Sequence, residues 1–201
     1  MNCDPIARWY WWLEYIGFGG ALQRRRLTFL KDVADARRAV VLGEGDGRFL
    51  VKLVEQNRSA SIDYIDLSER MLELARARAG ADRVTYHHGD ALKIPLPVGE
   101  YDLVTTHFFL DCMNEDDAAR LADRVSQATA PHAQWLVSEF AECGLWARAI
   151  IAILYFFFRV TTGLTTRRLV DHHALLERAG FRLKRRETAR FGLLLSELWI
   201  K

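Results

Sequence analysis

Residues 39–50, AVVLGEGDGRFL, decide the fold of this chain. Ala39 to Gly43 is a short apolar run ending in glycine, which reads as a buried strand. From Arg48 to Asn57 the apolar residues recur at helical spacing. Between the two stand Gly43, Glu44, Gly45, Asp46 and Gly47. Three glycines in five residues let the backbone turn sharply and approach a ligand closely. The helix that follows presents its free N-terminal amides at the same place. A plain tight turn would also use such glycines. The strand-to-helix context favours a nucleotide or adenosine site.

Working outward, the alternation continues. Ser61 to Asp66 reads as a strand, and Ser68 stands where an N-cap would, ahead of a helix with Met71, Leu72, Leu74 and Ala75 on its apolar face and Gly80 as its stop. Val84 to His88 and Tyr101 to His107 are strand-like. A helix from Asn114 to about Thr129 carries Asp116 and Asp117 at its positive end, with Pro131 closing it. Trp135 to Phe140 is a further strand. A long helical region then breaks near Thr161–Gly163, and a helix from Arg168 to Ala179 precedes Gly180. Phe181 to Thr188 and Leu193 to Ile200 read as two last strands joined by a turn at Gly192. Strands separated by helices imply an α/β fold with a parallel sheet covered on both faces. The final tight connection makes the C-terminal strand antiparallel.

The expected architecture is therefore a seven-stranded, mostly parallel, doubly wound sheet in one domain. Residues 39–201 form its Rossmann-like core, and residues 1–38 form N-terminal helices. Those helices carry Trp9, Trp11, Trp12, Tyr15 and Phe18 and read as a lid or flank.

Composition narrows the class. Half of the 201 residues are apolar and the formal net charge is +2, so nothing asks for nucleic acid or an anionic membrane as partner. The three cysteines, Cys3, Cys112 and Cys143, form no CxxC pair and indicate neither a zinc site nor a disulfide framework. Free thiols and the lack of a signal-like start fit the cytoplasm. Residues 149–158, AIIAILYFFF, are continuously apolar between Arg148 and Arg159. A membrane span needs about 20 such residues, so a buried helix is the favoured reading, with an apolar substrate or membrane-surface contact as the lesser one.

In an open parallel sheet, ligands bind beyond the carboxyl ends of the strands. Asp66 ends the second strand, where an acid commonly accepts from ribose hydroxyls; ordinary helix capping is the competing role. Arg48 stands where a dinucleotide fingerprint would have its third glycine, which disfavours a nicotinamide-dependent oxidoreductase, and no P-loop sequence occurs.

Together these segments resemble the class I S-adenosylmethionine-dependent methyltransferases. The residues that carry the likeness are VVLGEGDGRFL (40–50), IDYIDLSERMLELAR (62–76), VTYHHGDALKIPLP (84–97), YDLVTTHFFLDCM (101–113), WLVSEF (135–140) and LLERAGFRL (175–183). The resemblance implies S-adenosyl-L-methionine as cofactor and S-adenosyl-L-homocysteine as product. It puts Gly43, Gly45 and Gly47 along the methionine part and Asp66 at the ribose. Asp90 would meet the adenine amino group, with Ala91 and Leu92 beside the ring. Leu67 and Met71 would pack on the adenosine, and His107 and Phe108 would lie near the sulfonium. The family often has an acid two positions before the first glycine. Val41 stands there, and Glu44 and Asp46 could meet the cofactor's ammonium instead, with plain solvation as the other reading.

Methyl transfer from a sulfonium is a displacement helped by alignment and exclusion of water, and a base is needed only where the acceptor must lose a proton. His107 and Asp111 are the catalytic candidates. Packing is the other reading for His107, and helix capping the other for Asp111. Phe109, Cys112 and Glu139 lie nearby. The expected acceptor is a small molecule, possibly apolar; HFFLD (107–111) stands where relatives acting on nucleic-acid bases or amides carry an N/D-PPY sequence. A non-catalytic, cofactor-binding partner subunit is the alternative.

Overall fold

The computed structural model describes residues 4, 12, 15, 17–164, 166 and 168–201. Trp9 and Trp11 of the expected lid lie outside them. Seven strands form one sheet: β1 (Arg38–Leu42), β2 (Ser61–Asp66), β3 (Val84–His88), β4 (Tyr101–His107), β5 (Thr129–Phe140), β6 (Arg182–Ala189) and β7 (Leu194–Ile200). Their order is β3-β2-β1-β4-β5-β7-β6. β1 pairs in parallel with both β2 and β4, so the strand order reverses at β1. That switch point leaves a crevice at the carboxyl ends, where ligands bind in such sheets.

The helices are α1 (Ala21–Arg26), α2 (Arg48–Gln56), α3 (Glu69–Ala79), α4 (Glu115–Ala128), α5 (Leu145–Thr162) and α6 (His172–Arg178). Side chains alternate across each strand and divide the core into two layers. Val41, Tyr64, Leu103, Leu136 and Leu198 face α2 and α3, with Phe49, Leu50 and Leu53 filling that layer. Val40, Ile65, Val104, Trp135 and Trp199 face α4 and α6, with Leu121, Val125, Leu176 and Phe181. The buried Trp135 donates its Nε1–H to Thr106 Oγ1 at 2.9 Å, so its one polar atom is satisfied.

β7 runs antiparallel to both β5 and β6. Every residue of β7 from Leu194 to Trp199 is buried, which makes it an interior strand. β6, RLKRRETA, takes the edge with almost every residue exposed. Its charges suit that place, because they discourage pairing with another chain.

Several boundaries differ from the sequence reading. α4 stops at Ala128, and Pro131 lies within β5 rather than closing the helix. Capping sets the start of α6: Asp171 accepts from the Ala174 amide, so the helix begins at His172 and not at Arg168. The 149–158 run belongs to α5, but α5 is not a core helix. Only Ala147, Ile151 and Tyr155 are buried, against a small cluster with Leu22, Leu164, Leu193 and Leu194. The helix lies on that cluster with one face only, and its opposite face is apolar and exposed.

Candidate active site

A cleft opens at the carboxyl ends of β1, β2 and β4. Gly43, Gly45, Ile65, Asp66, Leu67 and Met71 line one part, Gly89, Asp90 and Ala91 another, and Phe108, Phe109, Cys112 and Met113 the rest. Of the residues the resemblance assigns to the cofactor, Gly43, Gly45, Asp66, Leu67, Met71, Asp90, Ala91 and Phe108 meet here. Glu44, Asp46, Gly47, Leu92 and His107 are not in the lining.

Asp66 is the central polar group. Its Oδ1 accepts from the Ser68 amide at 2.8 Å and its Oδ2 from the Gly45 amide at 3.3 Å. These bonds fix the carboxylate between the glycine loop and the start of α3. Each oxygen keeps a lone pair for a further donor, since a carboxylate offers about four acceptor sites. Burial raises the Asp66 pKa to about 6, against the lowering effect of the Ser68 and Gly45 amides. Ser68 caps α3 by accepting from the Met71 amide, as its place in the sequence implies, and donates to Asp4 of the N-terminal segment at 2.5 Å. Asp90 bends the next loop by accepting from the Leu92 amide at 2.9 Å through Oδ1, and its Oδ2 lies 3.8 Å from the exposed Lys93 ammonium.

The acids inside the glycine loop point elsewhere. Glu44 is buried; it accepts from the Phe49 amide at 3.1 Å and from the Tyr64 hydroxyl at 3.3 Å. It caps the first turn of α2 from within, where negative charge meets the helix's positive end. Burial raises its pKa to about 7 despite the nearby Arg26. Asp46 is held by Arg48 at 2.9 Å and Arg78 at 2.6 Å. Neither side chain is free to reach an ammonium group. Gly47 also has a packing role: at φ 81°, a Cβ there would lie 2.5 Å from Ala75 Cα, so the glycine lets α2 and α3 approach.

His107 is fully buried. Its Nδ1 lies 3.0 Å from Ser138 Oγ and its ring packs edge-on against Phe49, with centroids 4.4 Å apart. Burial, with Arg26 nearby, holds its pKa well below the usual histidine range. The ring is enclosed outside the cleft lining, and its Nε2 has no hydrogen-bond partner among the described residues. Asp111 is buried behind the lining, where Tyr155 donates to its backbone carbonyl at 3.0 Å. Burial raises its pKa to about 6, opposed by the Cys112 thiol. Glu139 accepts from the Phe109 and Leu110 amides at 3.2 and 2.9 Å, and so fixes the segment that carries the aromatic wall. Burial and the neighbouring Asp111 push its pKa well up.

Phe109 presses on the glycine loop: a Cβ on Gly43 would lie 2.0 Å from its Cδ2. Gly43 therefore serves the approach of this ring as well as the turn. Gly89, beside Asp90 in the loop after β3, also lines the cleft, and Ile65 and Met113 complete it without any local signal that marks them. Sequence reasoning also missed a network outside the cleft. Glu197 Oε2 accepts from Trp199 Nε1 at 2.9 Å and lies 3.0 Å from His172 Nε2, while Oε1 accepts from Arg186 Nε at 2.6 Å and lies 2.8 Å from His173 Nε2. The residues come from α6, β6 and β7, so no local spacing could reveal it.

Comparison with known proteins follows this geometry. Residues 39–132 match the sequence profile of a family described as methyltransferase domain. A demethylmenaquinone methyltransferase of Deinococcus radiodurans is 36% identical over 74 residues, which are 36% of this chain and 31% of that protein. One from Thermus thermophilus is 29% identical over 144 residues, 70% of this chain and 64% of that protein. The chain thus matches less than two thirds of the length of either relative. Among solved structures, an S-adenosylmethionine-dependent methyltransferase from Mesorhizobium loti superposes with a TM-score of 0.70 at 23% identity, over 91% of this chain and 99% of that one. Another, from Archaeoglobus fulgidus, gives 0.73 at 14% identity, over 96% and 100%. The sheet order and these superpositions agree on one fold, that of the solved S-adenosylmethionine-dependent methyltransferases, and the methyltransferase-domain match spans a little under half of this chain.

Proposed function

We propose that this chain transfers a methyl group from S-adenosylmethionine to a small apolar acceptor. The observation that carries this reading is one cleft with two unlike parts. Asp66 and Asp90 stand among apolar side chains on one side, and Phe108, Phe109, Cys112 and Met113 line the other. The residues present suit an adenosyl group. A carboxylate held by two amides, with lone pairs to spare, matches a ribose diol, and Leu67, Met71 and Ala91 offer flat apolar contact.

When bound, S-adenosylmethionine would supply a methyl group already activated on a sulfonium. Asp66 would accept from the ribose hydroxyls, and Asp90 would take the exocyclic amine of the adenine. Gly43 and Gly45 let the backbone come close to the amino-acid end. Phe108, Phe109 and Met113 exclude water and align the acceptor, which is where much of the rate of such a displacement arises. Among the described lining residues the ionisable side chains are Asp66, Asp90 and Cys112. This cleft thus suits an acceptor that arrives already nucleophilic, such as an electron-rich ring or an ionised hydroxyl.

The names of the two sequence relatives make a demethylated naphthoquinol the first acceptor to try. The test is incubation with S-adenosylmethionine and a short-chain demethylmenaquinol, with the product read by mass spectrometry. A product heavier by one methyl group, lost in Asp66→Ala, supports the proposal. Binding of S-adenosylhomocysteine without transfer to any apolar quinol or phenol would remove the acceptor assignment.

A further inference from the structure

We propose that the outer face of α5 and the tip of the β6–β7 hairpin form a docking surface for an anionic lipid membrane. The inference rests on this surface alone and not on the catalytic reading. α5 reverses the usual pattern of a surface helix, in which the apolar stripe faces the core and the polar one faces water. Its outward residues are apolar: Leu145 is 83% exposed, Ile153 67%, Phe156 66% and Val160 71%. At 3.6 residues per turn they share one stripe with Ala149 and Ala152. Arg148 and Arg159, about three turns apart, flank a single edge of it.

The hairpin extends the same patch. Phe191 is 94% exposed, and its ring meets Trp146 edge-on, with centroids 6.3 Å apart. Arg190 and Phe191 stand at φ 52° and 54°, ahead of Gly192 at 89°. Such turns select Gly, Asn or Asp, and a bulky residue at positive φ carries a conformational cost. A phenylalanine kept there, with its ring in water, is placed against two preferences at once. Insertion among acyl chains satisfies the second and gives a reason for tolerating the first.

Charge selects the occupant. α5 contains two arginines and no acid. Arg148 pairs with Glu142 at 2.9 Å, while Arg159 and Arg168 have no ion-pair partner among the described residues. An apolar stripe edged by Arg159, with no acid on the helix to neutralise it, fits the boundary between anionic headgroups and acyl chains. α5 is long and apolar enough to cross a membrane by length and composition. It lies on the surface instead, because its buried face packs on the domain and β5 and α6 on either side of it belong to that same domain. Tyr155, on that buried face, donates to the Asp111 carbonyl behind the cleft wall, so the docked helix would hold the cleft's apolar side close to the lipid.

The test is co-sedimentation of the full chain with phosphatidylcholine vesicles, with and without phosphatidylglycerol. The expected result is strong binding only with the anionic lipid, weakened by salt. Phe191→Asn suits the turn and should leave the melting temperature unchanged or higher, yet weaken vesicle binding about tenfold. Phe156→Glu should do the same without changing S-adenosylhomocysteine affinity measured by calorimetry. No vesicle binding would overturn the proposal, as would binding that neither variant reduces. A stable dimer in ultracentrifugation that Phe156→Glu dissociates would overturn it in favour of a second copy on this face. Vesicle binding without S-adenosylhomocysteine binding would sustain this inference and defeat the catalytic one.

Discussion

Asp66→Asn should make the empty protein more stable and its cofactor site worse. In the folded chain Asp66 is buried at the cleft and its pKa is raised from 3.8 to about 6. An acid with a raised pKa stabilises the fold while protonated, and that contribution is lost as pH rises from about 4 through about 6. At ~1.4 kcal/mol per pH unit, the cost of ionised Asp66 at pH 8 is ~3 kcal/mol. Asparagine removes the charge but offers one acceptor in place of two, so one of the Gly45 and Ser68 amide bonds is lost, at ~1 kcal/mol. The net gain is ~1–2 kcal/mol, or about 4 °C in melting temperature for a domain of this size. Thermal melts of both proteins at pH 8 and pH 5 measure it. Asp66→Asn should melt higher at pH 8, and the gap should narrow at pH 5. Excess S-adenosylhomocysteine should raise the melting temperature of the wild type far more than that of the variant. A variant that melts below the wild type at pH 8, or a gap that ignores pH, would refute the reasoning.

Other consequences can be checked with the same equipment. Glu197→Ala leaves His172, His173, Arg186 and Trp199 without their shared buried acceptor, and should cost ~3–5 kcal/mol, read as a fall of about 10 °C in melting temperature. Burial pushes the Glu197 carboxyl up, but the hydrogen bonds from His172 and His173 reverse this and hold it far below the usual range, so its stabilisation persists at neutral pH and fades as pH falls below about 4. An acid melt that does not shift in Glu197→Gln would contradict this. Gly47→Ala drives a Cβ into Ala75 at a positive φ, and should lower stability by ~2 kcal/mol in chemical denaturation. His107→Gln should keep methyl transfer within about threefold after correction for folded fraction, because the ring does not line the cleft; a thousandfold loss would restore it as a base.

The parts of the fold that local chemistry dictates were legible in the sequence. The glycine-rich turn after an apolar run, the Ser68 cap and the apolar β7 beside the charged β6 each announce their element, and the parallel order follows from the intervening helices. The cleft residues contributed by strand ends were legible too, since topology fixes where those ends meet. What the sequence could not show is where side chains turn after the strand ends. Glu44 and Asp46 look like ligands in a loop of glycines, yet Phe49 and Arg48 of the next helix, with Tyr64 and Arg78 from β2 and α3, draw them inward. His107 stands at a strand end as the sequence implies, while Ser138 and Phe49, from other elements, fix the direction of its ring. For α5, apolar composition implies burial only where a layer exists to cover both faces, and among the described residues none covers its outer face.

The most direct test of the account is calorimetric titration of the purified protein with S-adenosylhomocysteine, beside Asp66→Asn and with NADH as control. The account expects one site per chain for S-adenosylhomocysteine, at least tenfold weaker in the variant (about 1.4 kcal/mol or more) and no heat from NADH. Equal affinity in the two proteins would move the site away from Asp66, and no binding to either would contradict the cofactor assignment on which the proposed methyl transfer depends.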